Sequence, residues 1–257
     1  MPRSALLAAT VLIAMAPPSS AFDLDLYDRL LERHTRAVED IASTRVDYAA
    51  VGKDPEWRRL VKGLSETDPD GFDRNETLAF WINAYNVLAI DLVARHYPVA
   101  GIRDIGSLLR PVWKREAGRI DERARTLHAI EHGILRPLGD PRIHGAIVCA
   151  SLSCPPLRRE AFRAERLGEQ LDDNMRRWLA DPRKGVRADA ASGTLHVSSI
   201  FKWFAEDFEG GGGAVGFVER YGPEAAARLA KERGADAAIR YLDYDWSLND
   251  LAATGAS

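Results

Sequence analysis

The chain has 257 residues, with 35 Lys and Arg against 38 Asp and Glu, a net charge of −3, and two cysteines. That length buries a substantial core. The near balance of charge leaves no electrostatic footprint for nucleic acid or an anionic membrane, so no nucleic-acid partner is expected.

Residues 1–21 read as a cleavable secretory signal. Arg3 supplies the positive start, Ala5 to Met15 the apolar stretch, and Pro17 to Ala21 the small residues before a cut at Phe22. The apolar run is shorter than the ~20 residues a bilayer span needs. No later stretch is expected to span one, because charges interrupt each. The mature chain, 22–257, is expected to be one periplasmic or secreted domain.

Leu26, Leu30, Leu31, Val38 and Ile41 fall near a 3.6-residue period and predict a first helix. An extended Val46-Asp47-Tyr48 follows. Asp54-Pro55 pairs an N-cap with proline at the first helical position and starts a helix through Leu60 and Leu64. Asp73, with Glu76 three residues on, is a capping box opening a helix to about His96, stopped by Pro98. That helix is apolar nearly all round, so it is central, and Asn83 and Asn86 are buried amides in need of partners.

Thr126 caps a helix from Leu127 to Arg136, ended by Pro137. The branched, apolar run Arg142 to Cys149 reads as a strand feeding a turn, Ala150 to Pro156. A helix spans Leu167 to Leu179. Ala191-Ser192-Gly193 is a hairpin turn whose return strand holds Leu195 and Val197, and Ser199 caps an aromatic helix, Ile200 to Phe208. One or two helices and an extended Tyr241 to Trp246 close the chain. Helices with scattered short strands give an α+β class, helix-rich, with a small, mainly antiparallel sheet.

The blocks Phe80-Trp81-Ile82-Asn83-Ala84-Tyr85-Asn86, Ile130 to Arg136, Arg142-Ile143-His144, Cys149 to Pro155 and Ser199 to Phe204 with Asp207-Phe208 resemble the domain of unknown function 547 family. They come in that family's order over roughly 40–220. The resemblance implies a shared fold and site region without naming a reaction. His128 departs from the family's pattern, where that position is acidic or polar.

Several residues carry candidate chemistry. His128-Ala129-Ile130-Glu131-His132 matches the inverted zinc-peptidase motif by text, with Glu206 as a conceivable third ligand, yet the resemblance points elsewhere, and no metal or other cofactor is expected. Cys149 and Cys154 are expected to form a disulfide in an oxidising compartment. The alternative is a thiol hydrolase or acyltransferase with Cys149 as nucleophile and His132 as base, beside Glu131. His144, five residues from Cys149 on the expected strand, would face away from it. The favoured reading is a domain binding an unknown small molecule or protein at a polar site drawn from Asn83, Tyr85, Asn86, Arg142, His144 and Ser151 together with Glu131, His132 and the Cys149 turn.

Overall fold

A computed structural model describes residues 22–107 and 109–255; the expected signal segment lies outside them. Helix α1, Leu24–His34, is capped by Asp23 and ends earlier than its apolar period suggests. Thr35 turns extended, its hydroxyl bonds the Leu31 carbonyl, and Thr35–Ala37 (β1) pairs antiparallel with Thr44–Val46 (β2). Asp47 caps a single turn, α2, Tyr48–Val51, where extended chain was expected. The caps at Asp54 and Asp73 stand as read, opening α3, Pro55–Ser65, and α4, Arg74–His96.

The 23 residues of α4 form the axis of the larger buried cluster. By length and composition this helix could cross a bilayer, against the expectation that charges break every apolar stretch, but 83% of its apolar window is buried inside the protein.

A hairpin that sequence reading missed follows, β3, Glu116–Ile120, with β4, Arg123–Thr126. Its turn uses Asp121 and Glu122, both at positive φ, with no glycine or asparagine to announce it. Thr126 caps α5, Leu127–Ile130, which widens into a π-helical turn, Glu131–Leu135, before a 3-10 turn at Arg136–Leu138. Pro137 has no N–H for the Gly133 carbonyl and its ring would press on it, a conflict the wider turn relieves.

The expected strand at Arg142–Cys149 is absent. Asp140 caps a 3-10 turn, Pro141–Gly145, by accepting the Arg142 N–H, and the apolar residues beyond it run as irregular buried chain. Side-chain amides take the place of a partner strand. Asn86 donates to the Ala146 carbonyl (3.0 Å) and accepts the Val148 N–H (2.8 Å); Asn174 donates to the Gly145 carbonyl. Asn83 does the same for Phe162, donating to its carbonyl (2.8 Å) and accepting its N–H (2.9 Å).

Helix α6, Leu167–Leu179, bridges the two buried clusters: Leu167 and Leu171 join the first, Met175, Trp178 and Leu179 the second. The hairpin β5, Val186–Asp189, and β6, Thr194–Val197, turns at Gly193 with φ +67°, as its sequence requires, and β7, Ala238–Tyr241, adds parallel to β6. The aromatic helix is split at Phe204 into α7, Ile200–Trp203, and α8, Ala205–Phe208; the Ser199 hydroxyl bonds Leu242 instead of capping. Helix α10, Glu224–Arg233, lies against β5 and β6, and α9, Gly213–Tyr221, packs on α10, α8 and α6. The whole is α+β and helix-rich, with small, mainly antiparallel sheets.

Candidate functional site

A cleft of about 260 Å³ opens between the two clusters. One side is polar: Tyr85 from α4, His128, Glu131 and His132 from the α5 turn, His144, and the two cysteines. The other is aromatic: Trp203 and Phe204 from the break between α7 and α8, and Tyr244 and Trp246 from the C-terminal segment, with Trp113 beside them.

The cysteine turn is held from both sides. Asn86 fixes the chain entering it. The C-terminal segment runs antiparallel along the turn itself: Leu152 N–H bonds Ser247, Ser153 N–H bonds Asp245, and Asn249 N–H bonds Ala150. Between these clamps Ala150 adopts φ +65°, a conformation that costs a non-glycine residue about 1 kcal/mol. That bend turns the N–H groups of Cys149 and Ser151 toward the Cys154 sulfur, a small backbone nest for an anion.

The expected disulfide is not present. Cys149 and Cys154 are free thiols with their sulfurs 2.9 Å apart, against about 2.05 Å for a bond. The Tyr244 hydroxyl reaches both, 3.3 Å from Cys154 and 3.7 Å from Cys149, and the Ser151 hydroxyl is 3.4 Å from Cys149. Burial pushes the Cys154 thiol up, but donation from Cys149, Tyr244 and the two backbone N–H groups outweighs it and brings its pKa down to about 6. The bond to Cys154, then burial, pushes Cys149 the other way. The pair therefore holds one proton and one negative charge near neutrality and titrates as a unit. Cys154 is buried and Cys149 partly buried, and both line the cleft.

Glu131 lies in the same cleft, and among the described residues nothing donates to its carboxyl. Burial raises its pKa to about 7, Arg136 opposing. The π-helical turn brings Glu131 and His132 to one cleft although they are adjacent in sequence. Arg136 donates to His132 Nδ1 (2.9 Å), so the neutral ring carries its proton on Nε2. Burial, His128 and Arg136 lower its pKa further. His132 is thus a donor, and its role as a base for Cys149 lacks the lone pair it needs. Arg136 also forks onto Asp207 (2.6 and 2.8 Å), which accepts from His144 Nε2 (2.6 Å). Burial lowers the His144 pKa to about 4, and its ring stacks on Phe204 at 4.1 Å. With no strand at 142–149, His144 does not face away; it lines the cleft that Cys149 lines.

Of the expected site residues, Tyr85, Glu131, His132, His144 and Cys149 converge, and Ser151 lies just behind Cys149. Asn83 and Asn86 are buried with their amides bonded to backbone, outside the cleft wall. Arg142 sits in a separate depression, forked onto Asp140 and bonded to Asp172. His128 and His132 have ring centroids 4.3 Å apart, Glu206 is exposed, and among the described residues no three His, Cys, Asp or Glu side chains group as metal ligands. Sequence reading missed Arg136, Trp113 and Tyr244. The two-residue spacing of Tyr244 and Trp246 in an extended segment, which puts both on one face, was the available signal.

Neither the curated proteins nor the solved structures compared with this chain give a match. Residues 69–179, which carry the polar side of the cleft and both cysteines but not Asp207 or the C-terminal aromatic wall, match the family model described as Protein of unknown function, DUF547, and this stretch is similar to that family.

Proposed function

We propose that the chain is an exported, periplasmic or secreted, thiol-dependent hydrolase or acyltransferase with Cys149 as nucleophile. The observation that carries this reading is the unbridged sulfur pair, 2.9 Å apart, in one cleft with a carboxyl whose pKa is about 7. The export half is supported by the leader pattern and by Phe22, the first residue after the expected cut, which is buried against Tyr27 and Phe80.

The chemistry runs on groups already in place. The Cys149 sulfur bonds to an acyl carbon as its proton passes to the Cys154 thiolate. The carbon's bond to the leaving oxygen or nitrogen breaks, and that atom takes the proton of Glu131. Water then adds to the thioester and gives a proton to Glu131. The C–S bond breaks, and Cys149 recovers its proton from Cys154. A carboxyl at pKa about 7 serves as acid in the first half and as base in the second. The free Nε2–H of His132 is available to the carbonyl oxygen.

Three measurements test this. Denatured, unreduced protein titrates two free thiols; none would remove the nucleophile. Iodoacetamide labels Cys149 at pH 7, and more slowly in Cys154→Ser, which removes the thiolate that takes its proton; an equal rate in the two proteins rejects a sulfur pair that activates Cys149. p-Nitrophenyl acetate gives a stoichiometric burst of nitrophenol that Cys149→Ala abolishes. A domain that only binds, a reading favoured by the aromatic wall, shows ligand quenching of tryptophan fluorescence without the burst.

A further inference from the structure

A second depression, about 980 Å³, lies beyond the cleft and shares two of its walls, Trp113 and Trp246, whose rings are 6.1 Å apart. Its other side is drawn from residues 101–107 and 111–112, including Arg103, Asp104, Ser107 and Pro111. This stretch is electrostatically unlike the rest of the chain. From 101 to 115 it carries Arg103, Arg110, Lys114 and Arg115 against one carboxylate, Asp104, in a protein whose net charge is −3. Among the described residues none of the four cations has a carboxylate within ion-pair distance, whereas about half of the arginines elsewhere do. Asp104 accepts the Gly101 N–H (3.0 Å), and Arg115 donates to the Ile105 carbonyl. Arg103 is exposed and lies over the Trp246 ring at 5.2 Å, on the wall common to both depressions.

We infer that this depression is an anion subsite: the substrate of the cleft carries a carboxylate or phosphate on the part that extends over Trp246, where Arg103 receives it. A guanidinium parked on an aromatic face keeps its edge free for such a group. Arg103 lines the depression beside Asp104, and Arg110, Lys114 and Arg115, close by in sequence, leave the stretch net positive, which favours an anion. This deepens the thiol-enzyme reading and rests on it for the identity of the reacting end, but its test does not use the reaction.

The test compares N-acetyl-Phe-Gly-Gly as the free acid and as the carboxamide, with binding read by tryptophan fluorescence at low salt, in the wild type and in Cys149→Ala. The acid binds roughly fivefold tighter than the amide, the scale of one exposed ion pair. The preference survives Cys149→Ala and Arg103→Lys, disappears in Arg103→Gln, and inverts in Arg103→Glu. Equal binding of acid and amide, no saturable binding of either, or a preference unchanged by Arg103→Gln overturns the subsite. An active sulfur pair with equal binding overturns it alone and leaves the thiol reading standing. Leu109, 98% exposed in the same stretch, supplies a second check. Sedimentation with phosphatidylglycerol vesicles that Leu109→Ser abolishes would assign the cations to a membrane surface and overturn the proposal. Absence of vesicle binding, beside the peptide preference, supports it.

Discussion

The two sides of the cleft are built by opposite means. The polar side rests on α4 and on side-chain amides that replace missing secondary structure, so its backbone is fixed by buried hydrogen bonds, and His132 and His144 by bonds to Arg136 and Asp207. On the aromatic side the backbone of the C-terminal segment and the Tyr244 hydroxyl are bonded to the cysteine turn, while the rings are placed by stacking. Trp203, Tyr244 and Trp246 hold one another, with Trp203 and Trp246 stacked at 5.6 Å and Tyr244 4.5 Å from Trp246, and Trp203 remains 46% exposed. A rigid reactive wall facing a wall of stacked rings is the division expected where one side must place atoms and the other must accept a shape.

The largest effect should fall on the rigid side. Asn86→Ala leaves the Ala146 carbonyl and the Val148 N–H buried without partners, at a cost of about 3 kcal/mol, measured by urea unfolding. It should also loosen the Cys149 turn and part the two sulfurs, so that labelling of Cys149 slows as it does in Cys154→Ser. A loss under ~1 kcal/mol with unchanged labelling would show that the amide does not hold the turn.

Two unpaired buried charges sharpen the contrast further. Lys184 is only 1% exposed, and its ammonium donates to the Ala42 carbonyl alone among the described residues. Burial lowers its pKa to about 8, with Cys154, Asp181 and Asp40 opposing and Arg183 assisting. The folded state therefore binds the proton less well than the unfolded chain does. The cost is full below pH 8 and fades as pH rises from 8 to 10.5, so stability rises across that window. Lys184→Met should stabilise at pH 7 by about 2 to 3 kcal/mol, with the gap closing by pH 10.5. Thermal unfolding at several pH values reads this; a pH-independent gap would contradict it.

Glu131 has the opposite sign and lies in the cleft. Its folded pKa, about 7, is above the ordinary 4.5. The cost is absent below pH 4.5, grows as pH rises, and is full above 7. Glu131→Gln should be neutral at pH 4 and stabilise by about 2 kcal/mol at pH 8, while the deacylation phase after the nitrophenol burst slows at least about tenfold. Stability gained with turnover lost marks a group retained for chemistry.

Much of the rigid side was legible in sequence. Asp54, Asp73, Thr126 and Gly193 mark their elements by local hydrogen-bonding chemistry, which needs no tertiary information, and each does what its sequence says. The apolar run at 143–148 reads as a strand because burial, not pairing, selects such residues, and the amides that satisfy it come from α4 and α6, far away in sequence. That one error also turned His144 away from the cleft. The aromatic side was less legible: nothing local distinguishes Phe201, which is buried and stacked on Trp178, from Trp203 two residues on. Both lie in α7, where two residues' separation points them about 200° apart, and no proline or glycine signals the break at Phe204 that follows.

The smallest expected effect tests that distinction. Among the described residues Trp203 pairs with the rings of Tyr244 and Trp246, at 4.9 and 5.6 Å, and much of it faces solvent. Removing it creates no enclosed cavity and strands no polar group, so Trp203→Ala should change stability by less than about 1 kcal/mol. Its consequence should appear in recognition. N-benzyl iodoacetamide presents a ring to the cleft where iodoacetamide presents none, and an aromatic pair is worth about 0.5 to 1.5 kcal/mol beyond its buried area. The ratio of the two Cys149 alkylation rates should therefore fall about two- to tenfold in Trp203→Ala, while the iodoacetamide rate alone holds, because the polar side is supported elsewhere. If both rates fall together, the aromatic wall is structural support for the sulfur pair and the division between the two sides fails. A constant ratio with both rates held would mean that ring recognition lies on Trp113 or Trp246, and the same pair of reagents applied to Trp246→Ala separates them.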